Sequence, residues 1–213
     1  MRKERSPLEK NTVFRNLREE KRIRIISAGF TAFGRNGYRK TSMADVSEAA
    51  GISKAALFYY FGSKQKFFCF LYDFCIDAVC TGICSTLQDA TDDFFERISV
   101  SQDIKLRLMR KYEGMFSFLT RAYTEDDPQV SPYISGSNEA YLRRGTGILL
   151  KCIDRSKFKA GTDIMKILKI AQWISEGFGR EAVAEGLPAE EMIAGFEPYM
   201  NMMKKTFYRE GSI

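Results

Sequence analysis

Residues 41–64 read TSMADVSEAAGISKAALFYYFGSK, two short helical patterns separated by a tight turn at residues 51–53. Ser42 and Ser53 are suited to cap the starts of the two helices, and Gly51 suits the left-handed backbone just past a helix end. Two helices joined by so short a turn form a helix-turn-helix, whose second helix fits the major groove of DNA. The same pattern also suits two ordinary helices in an all-α core, so it does not establish DNA binding by itself.

Charge is distributed unevenly along the chain. The 213 residues carry 33 Lys and Arg against 27 Asp and Glu, a net charge of +6. Residues 1–64 hold 14 basic and 6 acidic side chains, whereas residues 65–213 hold 19 and 21, so the positive excess lies with the helix-turn-helix. A basic module on a nearly neutral body is typical of a nucleic-acid-binding protein, although a solvated basic face has the same composition.

The stretch from Ile25 to Phe70 resembles the DNA-binding domain of the tetracycline-repressor (TetR) family, over about a quarter of the chain. Its first helix, IISAGFTAFGRNGYRKTS, follows the family's order: an apolar pair, small residues, an aromatic residue, Gly with a second aromatic, and a Thr-Ser pair. The continuation AAGISKAALFYYFGSK matches the family's pattern almost position by position. Its ending in two aromatic residues, Phe, a short turn and Ser-Lys is not a general feature of helix-turn-helix proteins.

The resemblance implies an all-α fold with two domains. Residues 1–64 would form a three-helix helix-turn-helix DNA-binding domain with a basic N-terminal extension, and residues 65–213 a larger helical ligand-binding and dimerisation domain. The expected function is that of a homodimeric transcriptional regulator, a repressor released from a near-palindromic double-stranded operator by a small-molecule ligand. The alternative is a ligand-independent DNA-binding factor of the same fold, architectural or linked to cell division.

Nine residues are candidates for DNA contact. The hydroxyls and amides at Thr41 and Ser42 suit a phosphate, or simply cap the helix. Lys54 begins the second helix, where a lysine reaches a guanine edge or a phosphate, and Ala55 permits close approach to the bases. The full set is Thr41, Ser42, Met43, Ser53, Lys54, Ala55, Tyr59, Tyr60 and Lys64.

The resemblance assigns roles to the end of this motif and shows one departure. It implies a base or sugar contact from one of Tyr59 and Tyr60, and phosphate contacts from Tyr60 and Lys64. The family usually has Tyr where this chain has Phe58, and Phe cannot donate a hydrogen bond to the DNA backbone. We therefore expect lower affinity per half-site unless another group substitutes.

The rest of the chain reads as helices with short breaks, without strand-like alternation. The patterns predict helices over residues 64–87, 91–100, 102–123, 138–154, 163–185 and 188–209, with an acidic, proline-terminated loop at 125–128. The last two helices are expected to form the dimer interface. Near the N-terminus, Ser6-Pro7 predicts an early or extra helix start, and Arg2, Lys3 and Arg5 are a frayed end or a basic arm.

Seven apolar residues of the larger domain are candidates for a ligand pocket, although each equally suits an ordinary helical core. The expectation of a pocket comes from the resemblance and not from these residues. They are Phe70, Phe74, Met109, Tyr112, Phe116, Trp173 and Phe178.

The sequence restricts the chemistry that the chain can perform. It contains no histidine, which excludes Ser-His-Asp and Cys-His catalytic sets, and it has no Walker loop or metal-ligand pattern. We expect no enzyme activity, cofactor or metal. The lack of a signal peptide and of 18 consecutive uncharged apolar residues predicts a cytoplasmic protein without a membrane partner.

Five cysteines are interpreted as free thiols in a reducing cytoplasm, because their number is odd and four fall in one predicted helix. A thiol-based sensor is the alternative. They are Cys69, Cys75, Cys80, Cys84 and Cys152.

Overall fold

The computed structural model describes residues 11–87 and 91–212, and this part of the chain is all-α, which confirms the predicted fold class. A single 3₁₀ turn at Arg155–Lys157 and an isolated bridge between Phe158 and Tyr208 complete its regular structure. The predicted helix start at Ser6-Pro7 and the basic arm at Arg2, Lys3 and Arg5 lie outside the described residues. The α-helices are α1 (Thr12–Arg15), α2 (Glu19–Lys40), α3 (Met43–Ala49), α4 (Lys54–Phe61), α5 (Lys64–Leu87), α6 (Phe94–Lys111), α7 (Met115–Ala122), α8 (Ser131–Leu150), α9 (Ile164–Glu185) and α10 (Ala189–Phe207).

Helix boundaries agree with the sequence prediction at α5, α9 and α10 to within about two residues, the usual uncertainty of helix ends. The predicted pair 91–100 and 102–123 is wrong. The chain instead forms α6 through residue 111 and breaks before α7 at Gly114, whose φ of +76° lies outside the right-handed helical region.

The start of α8 was also predicted too late, at residue 138 instead of Ser131. The helix starts before residue 138 because the acidic loop leads directly into its first turn. The Asp127 carbonyl accepts the N–H groups of Val130 and Ser131. The Asp127 carboxylate also accepts the Gln129 N–H at 3.0 Å.

Contacts divide the chain into two compact units, the first comprising residues up to Thr81 together with residues 107–144. In this unit α2 and α7 approach closely at Gly34, where an added Cβ would lie 2.8 Å from the backbone nitrogen of Phe118. The rings packed in this core come from α2, α5 and α7. They are Phe30, Phe33, Phe67, Phe68 and Phe118.

The second unit comprises residues 82–106 and the chain from Gly145 onward. Its apolar core is built by α6, α9, α10 and the segments around Phe158 and Tyr208. Asp93 fixes the end of α10 in this unit through an ion pair with Lys204 at 3.3 Å. Burial would raise the pKa of Asp93, but the Glu96 N–H, Lys204 and Lys157 outweigh it and hold that pKa below its ordinary value.

Helix α5 is long and apolar enough to cross a bilayer, with a mean hydropathy of 1.7 over its most apolar window. Half of that window is buried inside the protein. The helix therefore has the properties of a core helix of a soluble protein, which must bury its apolar side chains against other helices.

Candidate nucleic-acid interface

Helices α3 and α4 form the helix-turn-helix that the sequence predicts. The Ser42 Oγ accepts the Asp45 N–H at 3.1 Å, and the Ser53 Oγ accepts the Ala56 N–H at 3.1 Å, so each serine caps its helix. Gly51 between the helices has a φ of +62°, the left-handed conformation expected at this turn.

The outer surface of α4 combines a cation, a small residue and aromatic rings. Lys54 and Ala55 are exposed, and Tyr59 is 73% exposed, the most among the large apolar side chains of the described residues. Phe58 is 37% exposed, whereas Leu57 on the opposite side is completely buried. An exposed face of this composition suits contact with base edges, sugars and phosphates.

Two of the predicted contact residues lie inside the protein. The Thr41 hydroxyl donates towards the carbonyls of Ala32 at 3.0 Å and Gly37 at 2.8 Å, which satisfies the end of α2. Met43, two residues further along the chain, is also buried. Of the three predicted contact residues at the start of α3, Ser42 is therefore the exposed one.

Lys64 lies at the start of α5, against the end of α2. Its Nζ donates to the Arg39 carbonyl at 3.1 Å and stands 4.5 Å from the centre of the Tyr38 ring. Burial lowers the pKa of Lys64, while the carboxylates of Asp127 and Glu125 act in the opposite direction.

Helix α1 supports α4; the sequence predicted an early or extra helix start at Ser6-Pro7 but no helix at Thr12–Arg15. Asn11 caps α1 and its Nδ2 donates to the Tyr60 carbonyl at 2.9 Å. The Phe14 ring is fully buried and lies 5.9 Å from the Tyr60 ring and 4.9 Å from the Phe61 ring, measured between centroids. The sequence signal for α1 is Phe14, a single aromatic residue that follows the cap Asn11-Thr12 within a charged stretch.

The seven pocket candidates are divided between the two compact units. In the first unit the rings of Phe74 and Tyr112 meet edge to face at 5.0 Å, and Phe70 stacks on Phe74. In the second unit Trp173 is 58% exposed, and Phe178 packs against Tyr199. Five candidates belong to the first unit: Phe70, Phe74, Met109, Tyr112 and Phe116.

The cysteines divide between interior and surface. Cys75 and Cys80 are buried, whereas Cys84 and Cys152 are exposed. Burial raises the pKa of Cys69 to about 11 and also raises that of Cys75, which disfavours the reactive thiolate at both positions. Within residues 11–87 and 91–212, no group of three or more Cys, Asp and Glu side chains is arranged to hold a metal ion.

Residues 25–68, which contain α3, α4 and the start of α5, match the family model described as "Bacterial regulatory proteins, tetR family". The chain carries the DNA-binding domain of the TetR family. It is a helix-turn-helix transcriptional regulator, and TetR-family regulators are not enzymes.

Known relatives of this TetR-family regulator extend the similarity beyond the motif. An uncharacterized HTH-type transcriptional regulator, YfiR of Bacillus subtilis, is 24% identical over 78% of this chain and 82% of its own. The transcriptional activator FasR of Mycolicibacterium smegmatis is 26% identical over 58% of this chain and 56% of its own. The solved structure of FadR from Bacillus subtilis with stearoyl-CoA has a TM-score of 0.64 and 13% identity, over 84% of this chain and 96% of FadR, and shares the fold.

The aromatic face of α4 provides a first prediction. Phe58 is partly exposed and has no polar atom, so Phe58→Tyr is expected to add a hydrogen bond to DNA. The gain in operator binding should be about 0.5–1.5 kcal/mol per half-site, the net value of one hydrogen bond. Titration of labelled operator measures it, and unchanged or weaker affinity would show that the backbone does not pass within reach of this position.

Proposed function

We propose that this protein is a cytoplasmic, homodimeric repressor that binds a near-palindromic operator through α4 and is released by a small-molecule ligand. The observation that carries DNA recognition is the exposed face of α4, with Lys54, Ala55 and Tyr59 on a capped helix of a basic module. Two recognition helices related by a twofold axis would enter successive major grooves.

Exposed apolar side chains on α9 and α10 support dimerisation through these helices. The helical stripe that contains Ile164, Ala171, Phe196, Met200 and Met203 is buried in the second unit's own core and is not available to a partner. A second stripe remains open, and an apolar surface of this kind marks a protein interface. Its exposed members are Met165, Ile170, Trp173, Tyr199 and Met202.

The fold shared with FadR supports regulation by a small molecule, because that protein was solved with stearoyl-CoA. FasR is named an activator, so activation is the alternative to repression. Repression is the simpler mechanism for a protein of two helical units, since occupying an operator requires no contact with polymerase. A ligand-independent architectural factor would bind DNA equally well with and without every small molecule.

The acidic loop 125–129 supports a route from the helical body to the DNA-binding helices. The Tyr38 N–H donates to the Glu125 carboxylate at 2.8 Å, and the Tyr38 hydroxyl and the Gln129 side chain are 2.8 Å apart. Arg39 approaches the Asp127 carboxylate at 3.4 Å. The loop leads directly into α8, so a shift of α8 would move the end of α2 and, with it, Lys64.

Breaking this loop contact is expected to uncouple the ligand from the operator. In the double variant Glu125→Gln, Asp127→Asn, the ligand-induced loss of operator affinity should shrink by about 0.5–2 kcal/mol, the size of single-site effects on coupling. Operator titrations with and without a ligand found by thermal-shift screening measure the difference. Asp126→Asn is the matched control, because Asp126 is exposed on the same loop. An unchanged ligand effect in the double variant would contradict this route.

The recognition helix is tested by comparing affinity for operator and for random DNA. Lys54→Ala is expected to lower the preference for operator by about 1–3 kcal/mol if the lysine reads a base. Tyr60→Phe, which removes a proposed phosphate contact, should weaken both DNAs alike. Equal operator-to-random ratios in wild type and Lys54→Ala would contradict base reading by Lys54.

A further inference from the structure

Two buried polar atoms in the first unit have no hydrogen-bond partner among the described residues. They are the Tyr72 hydroxyl on α5 and the Asn138 Oδ1 on α8. The Tyr72 side chain is completely buried. Buried polar groups of folded proteins are nearly always paired, because an unpaired one costs free energy, so each such atom requires an explanation.

Polar bridges join α5 and α8 along the stretches of the two helices that carry these atoms. The Tyr133 hydroxyl donates to the Asp73 carboxylate at 2.5 Å, and Arg144 donates to Asp77 at 3.3 Å. Tyr72 directly precedes Asp73 on α5, and Asn138 lies between Tyr133 and Arg144 on α8. The unpaired atoms therefore belong to facing stretches of two helices that are already fastened to each other.

A third polar group belongs to the same place. Tyr141 follows Asn138 by three residues on α8, so the two occupy one side of the helix. Burial of its phenolic end raises the pKa of Tyr141, and the neighbouring Tyr123, Cys80, Tyr72 and Cys75 raise it further. The Tyr141 phenol is thus close to Tyr72 and, like it, stays protonated.

We propose that Tyr72 and Asn138 bind the polar head of an uncharged ligand that both accepts and donates a hydrogen bond, such as an amide, an alcohol or a phenol. This inference rests on the proposed regulation by a small molecule and specifies the chemistry of that molecule. The Tyr72 hydroxyl donates to the head, and the Asn138 oxygen accepts from it. Both buried atoms are then satisfied by one group.

The charge around the site disfavours an anionic head. Burial raises the pKa of Tyr72 far above its ordinary value, and Tyr123, Cys75 and Asp73 add to the shift. A carboxylate would direct its charge at the Asn138 oxygen and stand near the Asp73 carboxylate, and like charges at short range repel. The ligand is therefore of a different class from an acyl-CoA or a free fatty acid.

The body of the ligand is expected to be apolar. Leu71, Cys75 and Val79 of α5 and Ile134 of α8 are buried in the same two helices. Side chains of this kind gain from contact with hydrocarbon and offer no further hydrogen bonds.

The test uses four probes with a common naphthalene body: 2-naphthamide, 2-naphthol, 2-naphthoate and naphthalene itself. Calorimetric titration and thermal unfolding are measured on the intact protein. We expect 2-naphthamide and 2-naphthol to bind wild type and to raise its Tm, with 2-naphthoate and naphthalene binding about tenfold more weakly. Tyr72→Phe and Asn138→Leu should each weaken 2-naphthamide binding by about tenfold.

Glu139→Gln is the matched control, because it changes an exposed side chain of α8 directly beside Asn138 in the chain. It should leave 2-naphthamide binding within about twofold of wild type, because an exposed side chain does not touch a ligand at the buried site. Without ligand, Tyr72→Phe should unfold at or above the wild-type Tm, since it removes an unpaired hydroxyl and keeps the ring.

Several results would overturn the assignment. These are binding of 2-naphthoate as tight as that of 2-naphthamide, unchanged binding in Tyr72→Phe, or no binding of either neutral probe to wild type. A lower Tm of unliganded Tyr72→Phe would also overturn it, because the hydroxyl would then have a partner such as a buried water. The proposed function fails separately, if bound 2-naphthamide leaves operator affinity unchanged while the dependence on Tyr72 and Asn138 holds.

Discussion

Replacing Trp173 with glutamate is expected to yield monomers in place of the proposed dimer and to abolish tight operator binding. Trp173 is the most exposed large apolar side chain among the described residues of α9, and it lies within the open apolar stripe of α9 and α10. In a twofold dimer the substitution occurs twice, and each unpaired charge in the interface costs about 3–5 kcal/mol. A monomer loses the second recognition helix, and with it the gain from binding two half-sites together.

Sedimentation velocity at micromolar concentration and operator titration measure the effect. Trp173→Phe is the matched control, since it keeps an aromatic ring in the stripe and should remain a dimer. Sedimentation of Trp173→Glu as a dimer that binds the operator normally would place the interface elsewhere.

The second large effect is expected on stability, at Gly114 between α6 and α7. Its φ is +76°, and an added Cβ would lie 2.6 Å from the backbone nitrogen of Thr31 on α2. Gly114→Ala therefore combines an unfavourable left-handed backbone with a clash against a helix that cannot yield locally. We expect a loss of about 2–5 kcal/mol in the free energy of unfolding.

Urea unfolding followed by circular dichroism measures this loss. The control is Gly136→Ala, because Gly136 lies inside α8 and an added Cβ would meet nothing within 4 Å. That variant should be more stable than wild type by about 0.5–1 kcal/mol, the helix preference of Ala over Gly. Equal effects at the two glycines would show that the close approach to Thr31 does not contribute.

The helix-turn-helix could be predicted from the sequence because its determinants are local. Ser42, Gly51 and Ser53 act on backbone groups within one turn of their own positions. In the structure, the two serines cap their helices and Gly51 adopts a left-handed conformation. The break between α6 and α7 was missed because it is set from a distance. The backbone of Thr31 on α2 leaves no room for a side chain at Gly114. This contact cannot be read from the sequence of residues 91–123 alone.

The face of each helix was harder to predict than its length. Apolar residues at helical spacing define stripes on α9 and α10, but spacing alone does not tell which stripe meets the chain's own core. The structure buries Phe196 and Met200 and exposes Trp173 and Met202. The sequence did not single out Tyr72 and Asn138 either. Hydrophobic periodicity predicts which side chains are buried, but not which buried polar atoms lack a hydrogen-bond partner.

The central proposal, that two copies of α4 read a symmetric operator, is tested most directly by selection of bound duplexes from a random DNA library with the purified protein. We predict enrichment of an inverted repeat whose half-sites are spaced by about 10 base pairs or a multiple of that spacing. Lys54→Ala should enrich a degenerate version of the same repeat. Recovery of unenriched sequence, or of a single half-site without symmetry, would contradict the proposal.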